Sequence, residues 1–304
     1  MKIAQRTFIT LAIYLIGSDQ VQAQGCSDAG FCTINSFKPN HADSTKAAKS
    51  QFKVGSFFGQ ADNAISVYGA YLEYSSQWSP KMSTDIKLTS LGQTGNAISV
   101  FGVSDFFVNT NYKVGKKLQF TAGVKIPVSA ADRKQNGLPL PMDYQASLGT
   151  LDMIFGVGYE IKKLQFAAAI QQPLTQNKNG FLASNYPTNA VLSTFQSTNT
   201  FIRSGDVLLR VSYPIAVGSK LRLTPSLLPI YHLANDRYTD ALNIEREIAG
   251  SKGLTLNANA YFDYEINSKN SLQLNMGMPF IVRSARPDGL TRSLIANLEY
   301  RIKF

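Results

Sequence analysis

From about Gln51 onward apolar residues recur at every second position, which sets successive side chains on opposite faces of an extended strand. The clearest run is Leu254, Leu256, Ala258, Ala260, Phe262 and Tyr264, interleaved with Thr255, Asn257, Asn259, Tyr261, Asp263 and Glu265. Leu118, Phe120, Ala122, Val124 and Ile126 alternate in the same way with Gln119, Thr121, Gly123 and Lys125, and Leu272 to Met278 repeats the pattern. A helix, with a period of about 3.6 residues, cannot produce this split.

The pattern predicts strands over 51–59, 64–76, 82–92, 97–113, 117–127, 150–161, 163–173, 201–214, 219–231, 253–266, 270–281 and 293–304. At about ten to fourteen residues most are longer than ordinary globular strands and match a tilted crossing of a bilayer. Brief turns follow the fourth, sixth, eighth and tenth strands; long connections, among them 128–149, 174–200 and 232–252, follow the fifth, seventh, ninth and eleventh. Short periplasmic turns alternating with long external loops predict an all-β fold, a transmembrane antiparallel up-and-down β-barrel of about 12 strands.

Tyr112, Tyr159, Tyr213 and Tyr264 each precede a short turn and Tyr300 lies near the end of the last strand, a candidate aromatic girdle at the periplasmic interface. The ascending strands reach Pro127, Pro173, Pro229 and Pro279, where a residue without an N–H suits a strand end. At the terminus Ala296, Leu298, Tyr300, Ile302 and Phe304 alternate with Asn297, Glu299, Arg301 and Lys303. Tyr300, Ile302 and Phe304 resemble the C-terminal signal by which the barrel-assembly machinery recognises its clients.

Ahead of the barrel, Lys2 and Arg6 precede an apolar run, Thr7 to Gly17, and a small-residue site, Val21-Gln22-Ala23, which predicts a secretory signal peptide over 1–23. Residues 24–50 form a separate N-terminal segment, either a periplasmic tail or a plug inside the barrel of residues 51–304. Cys26 and Cys32 are expected to close a disulfide loop there; lipidation of Cys26 is the alternative, opposed by the polar Gln24 before it. Without the leader cations the formal charge falls from +10 to about +8. The cations are not clustered in one patch; many fall in tight turns, as at Lys113, Lys116, Lys117, Lys162 and Lys163, and are read as solvated, so no nucleic-acid partner is expected.

Apolar side chains facing lipid leave the polar set inside. Asp105, Asp152 and Asp206 each lie seven positions before a girdle tyrosine, an odd spacing that places them in the lumen. Lys53, Lys125, Arg210, Arg222, Arg301, Gln119, Gln165 and Gln273 share that face. Such a lining either meets solute or pairs across the barrel to hold it together. No catalytic constellation, metal set or cofactor is legible: His41 and His232 are the only histidines, and His232 is expected to be solvated or packed against a loop.

The segments Asp105-Phe106-Phe107-Val108, Asp152-Met153-Ile154-Phe155 and Gly205-Asp206-Val207-Leu208-Leu209, each running down to a tyrosine, resemble the strand motif of the outer-membrane family linked to the meta-pathway of phenol degradation, itself similar to long-chain fatty-acid transporters. The resemblance implies an outer-membrane channel or transporter for small hydrophobic or aromatic compounds in a Gram-negative cell. Its implied partners are outer-membrane lipid, the barrel-assembly machinery and a small hydrophobic solute. The chain departs from the fatty-acid transporters in having about twelve strands instead of fourteen and in a Cys-containing head unlike their plug, so lateral release through the wall is not implied. The alternative is a non-transporting barrel that anchors or scaffolds a surface or secretion complex.

Overall fold

The computed structural model describes residues 34–39, 49–289 and 292–304; the expected signal peptide, Cys26 and Cys32 lie outside the described residues. Twelve strands make one antiparallel barrel: β1 (Ser50–Ala61), β2 (Ser66–Gln77), β3 (Met82–Gly95), β4 (Ile98–Val114), β5 (Leu118–Pro127), β6 (Asp152–Ile161), β7 (Leu164–Pro173), β8 (Asp206–Ser212), β9 (Leu221–His232), β10 (Gly253–Glu265), β11 (Asn270–Ile281) and β12 (Arg292–Lys303). Each strand pairs with its sequence neighbours, and β1 closes the sheet on β12 in a register running from Gln51↔Lys303 to Ala61↔Arg292. Closure leaves the barrel sheet itself without a free edge among the described residues.

The two faces are inverted relative to a soluble protein. Phe58, Leu72, Phe101, Phe155, Leu209 and Leu298 stand exposed on the outside, while Lys53, Glu73, Lys125, Asp152 and Arg210 are buried within. A charge on the outer face at the bilayer midplane would cost about 2 to 4 kcal/mol, so this sidedness suits hydrocarbon and not water.

Two local departures shape the wall. In β4 both Ser104 and Asp105 oppose Thr89, whose hydroxyl donates to the Asp105 carbonyl and accepts from its N–H, both at 3.1 Å. This β-bulge flips the alternation, so Phe101 and Val103 face outward above it and Asp105 and Phe107 face inward below. The strand expected over 201–214 is the second departure, since β8 begins only at Asp206. The Arg203 N–H is taken by Gln176 Oε1 at 2.8 Å, so the preceding residues belong to the loop. Pro214 then interrupts the strand, which resumes at Ile215–Ala216 against Leu223 and Arg222.

Pro127 and Pro173 end β5 and β7, but Pro229 and Pro279 lie inside β9 and β11. The Pro225 carbonyl accepts from Tyr213 across the β8–β9 seam at 3.1 Å. By the two-residue period Pro225 and Pro229 therefore both face β8, and each withholds a donor from it. The pairing runs from Asp206↔His232 to Leu208↔Ile230, lapses, and returns at Val211↔Leu227.

Apolar clusters occupy the interior. Ile34, Phe37, Phe107, Ile154, Leu208, Leu228 and Ile230 form one inside the barrel. Two more lie under the loops, around Tyr144, Phe181 and Phe195 and around Met142, Phe201 and Ile248.

Candidate functional site

The candidate site is the lumen, and its lower half is built from register. Lys53 lies opposite Glu73 on β2 and Arg301 on β12; Glu73 lies opposite Lys87, and Lys125 opposite Asp152. Each is buried, so each charge requires a partner. Lys53 Nζ meets Glu73 at 2.6 Å, Lys125 Nζ meets Asp152 at 2.9 Å and the Thr150 hydroxyl at 3.0 Å, and Arg301 reaches both Asp263 and Glu299. The Tyr71 hydroxyl donates to Glu299, and Lys87 Nζ sits 4.3 Å from the centre of the Tyr71 ring.

Into this belt runs the chain's own N-terminal segment. Residues Ile34 to Lys38 are inside the barrel, with a single 3-10 turn over Asn35–Phe37. Lys38 Nζ pairs with Glu299 at 2.9 Å, the Ser36 hydroxyl donates to Asn111, Asn35 bridges Lys53 and Asp85, and Arg210 donates to the Phe37 carbonyl. Phe37 lies against Gly156 so closely that a Cβ there would fall 2.3 Å from its ring. The glycine is thus the socket for the phenyl group.

A second network lies beneath the loops. His232 is 1% exposed, with Nδ1 2.7 Å from Asp206 and Nε2 2.8 Å from Asp236. Arg203 pairs with Asp206, and Arg283 with Asp288 at 3.1 Å while donating to the Ser251 carbonyl at 2.8 Å. The histidine is therefore loop-packed and not solvated. Both of its ring nitrogens are held by carboxylates, which leaves neither aimed at a serine hydroxyl. Among the described residues no group of three or more His, Cys, Asp or Glu is placed to hold a metal ion.

Recesses open on either side. An inner one of about 400 Å³ lies beside Phe37 and Lys38, with Gln119, Gln165 and Arg210 in its wall. An outer one of about 590 Å³ is bounded by Asp62, Asn63, Asp143, Gln196 and Arg286. There Arg286 pairs with Asp62 at 2.7 Å. Burial pushes the Asp143 carboxyl up to about 7, with the charges of Asp62 and Asp288 adding to the effect and hydrogen bonds from its own backbone and Asn63 opposing it. Gly289, at φ +64°, brings the loop after β11 against this segment, where a Cβ would fall 2.5 Å from the Asp143 nitrogen.

Of the residues singled out by spacing, Asp105, Asp152, Asp206, Lys53, Lys125, Arg210, Arg301 and Gln273 are buried on the inner face. Gln119, Gln165 and Arg222 are half-buried near the turns. Asp105 accepts from Ser147 at 2.6 Å and Ser104 at 2.8 Å, and Gln273 donates to Asp263 at 2.7 Å. Tyr112, Tyr159, Tyr213, Tyr264 and Tyr300 stand 37–45% exposed on the outer face, where Tyr74 at 43% joins them, so every descending strand supplies one. Ile302 is half-buried, Phe304 is 68% exposed, and the Phe304 N–H donates to the Ser50 carbonyl at 2.9 Å. Spacing did not single out Glu73, Asp85 or Lys87, although their alternation with Leu72, Tyr74, Ile86 and Leu88 carries the same information. Arg203, Asp236 and Arg283 sit in loops, where no period exists to reveal them.

No protein-family model matches the chain, and no curated protein matches it in sequence. Among solved structures it is similar to the CymD monoaromatic hydrocarbon channel (TM-score 0.44, 8% identity, covering 92% of this chain and 94% of that one). It is similar to a FadL homologue of Pseudomonas aeruginosa (TM-score 0.44, 8% identity, 92% and 98% covered). A third similar structure is the beta domain of the Bordetella autotransporter BrkA (TM-score 0.44, 13% identity, 85% and 100% covered). Likenesses this slight carry no argument about activity.

Proposed function

We propose that the chain is an outer-membrane channel or transporter for small hydrophobic or aromatic compounds, closed at rest by its own N-terminal segment. The observation that carries this reading is Phe37 seated on Gly156 within an apolar layer of the lumen made by Phe107, Ile154, Leu208, Leu228 and Ile230. Phe37 belongs to a segment outside the wall, so its displacement would expose an apolar surface inside the barrel without breaking a strand. Asn35, Ser36 and Lys38 would release polar partners in the same movement. On this reading Tyr300, Ile302 and Phe304 form the assembly signal, Cys26 and Cys32 a disulfide ahead of the plug, and the six tyrosines the periplasmic girdle.

The test is uptake of an uncharged aromatic solute by proteoliposomes, comparing the full chain with a variant lacking residues 34–39. Slow uptake by the full chain and faster uptake by the deletion variant are expected. No uptake by either, in barrels shown to be folded and inserted, would overturn the reading.

The belt of buried ion pairs from Lys53–Glu73 to Lys125–Asp152 and Arg203–Asp206 favours a second reading, a non-transporting scaffold. Stoichiometric co-purification with a surface or secretion complex, together with zero flux from the deletion variant, would select it.

A further inference from the structure

The positive charge of the chain is not spread over the barrel. Among the described residues six cations of the wall and Lys38 face seven carboxylates, so this part of the lumen is close to neutral. The connections on the rim of the long loops balance too, with nine basic against eight acidic side chains among the described residues. The excess lies on the opposite rim. Each of its five turns carries an exposed lysine: Lys81, Lys116, Lys162, Lys220 and Lys269. Lys113 and Lys117 join Lys116 at one of these turns and Lys163 joins Lys162 at another, and Lys49 and Lys303 add to the ring where the barrel begins and ends. Against these ten lysines stand, among the described residues, two acidic side chains at the same level, Glu160 and Glu265. The turns that look dispersed along the sequence are brought by the barrel into one basic ring.

From this we infer that the turn rim is a binding surface for anionic phospholipid headgroups of the leaflet in which it sits. Two further observations point to lipid and not to an acidic protein. The lysines encircle the barrel, as an annulus of lipid does, whereas a docked protein covers one side. They also follow directly on the six outward tyrosines, and Trp78, the only tryptophan in the chain, stands 66% exposed in the β2–β3 turn beside Lys81. Aromatic rings mark the headgroup level, so ammonium groups just beyond them stand among the phosphates. One lysine near an anionic membrane surface supplies a factor of about fivefold in association.

The inference rests on the membrane placement proposed above, and Trp78 reports on the two separately. The full chain is inserted into vesicles containing equal fractions of either brominated phosphatidylglycerol or brominated phosphatidylcholine, and quenching of Trp78 is measured. An association constant about fivefold larger for the anionic lipid is expected, reduced by added salt and lowered toward parity in a Lys49→Glu/Lys81→Glu variant. K134E, on the long-loop rim, should leave the preference unchanged. Equal quenching by the two lipids overturns the inference, as does a preference that survives both salt and the double reversal. Capture of an acidic periplasmic protein with equal lipid quenching overturns it in favour of a protein partner. Absence of quenching by either lipid would instead strike at the membrane placement itself.

Discussion

Lys125 and Asp152 have no exposed side-chain surface, and their 2.9 Å contact lies within a wall where water cannot replace either partner. Removing one charge leaves the other buried and unpaired, so Lys125→Met should destabilise the barrel by about 3–5 kcal/mol. Lys125→Met with Asp152→Leu should recover most of that loss. Urea unfolding of the lipid-refolded protein measures both, and equal losses in the single and double variants would contradict the pairing. Asp143, outside the strands, carries the opposite tension. Its carboxyl is pushed up to about 7 in the folded loop, so folding favours the neutral form. The corresponding stability is fully present below the ordinary carboxylate range and is lost as pH rises through about 7. Proteolysis of the loop over 141–145 should therefore quicken between about pH 4 and pH 7, and D143N should flatten the profile in that window.

Among elements, β8 and β9 form the seam with the fewest ladder bonds, because Pro225 and Pro229 both turn a donorless nitrogen toward β8 and Pro214 interrupts its lower end. Amides of β8 should exchange with solvent before those of β1 and β12, whose register runs unbroken from Gln51 to Gln60. Exchange that begins at the β1–β12 closure would contradict this. The strands were the legible part of the chain, since a two-residue period fixes the face of each residue once one face must be greasy. The two-residue period holds from Tyr112 to Asp105, which faces inward, because no residue between them lies beyond the bulge formed by Ser104 and Asp105. Counting upward from the same tyrosine would have put Phe101 on the wrong face. The start of β8 was not legible, because residues 201–205 spend their hydrogen bonds on Gln176, Asp236 and Arg237, contacts far away in the chain.

At the scale of the whole molecule, what spacing could not give is what closure creates. The lysine ring, the pairing of Lys38 with Glu299 and the four-residue chain Arg203, Asp206, His232 and Asp236 join positions that only the barrel brings together. The segment over residues 34–39 likewise has no periodicity to show that it lies inside; its place follows from partners on β1, β3, β4, β8 and β12. All of this depends on sidedness. The most direct measurement is photolabelling of the membrane-inserted chain with a hydrocarbon-soluble carbene precursor, followed by peptide mapping. Label should appear on Phe58, Leu72, Phe101, Phe155, Leu209 and Leu298 and be absent from Phe107, Leu208, Leu228, Ile230 and Tyr261. Labelling of the second group with protection of the first would contradict the account.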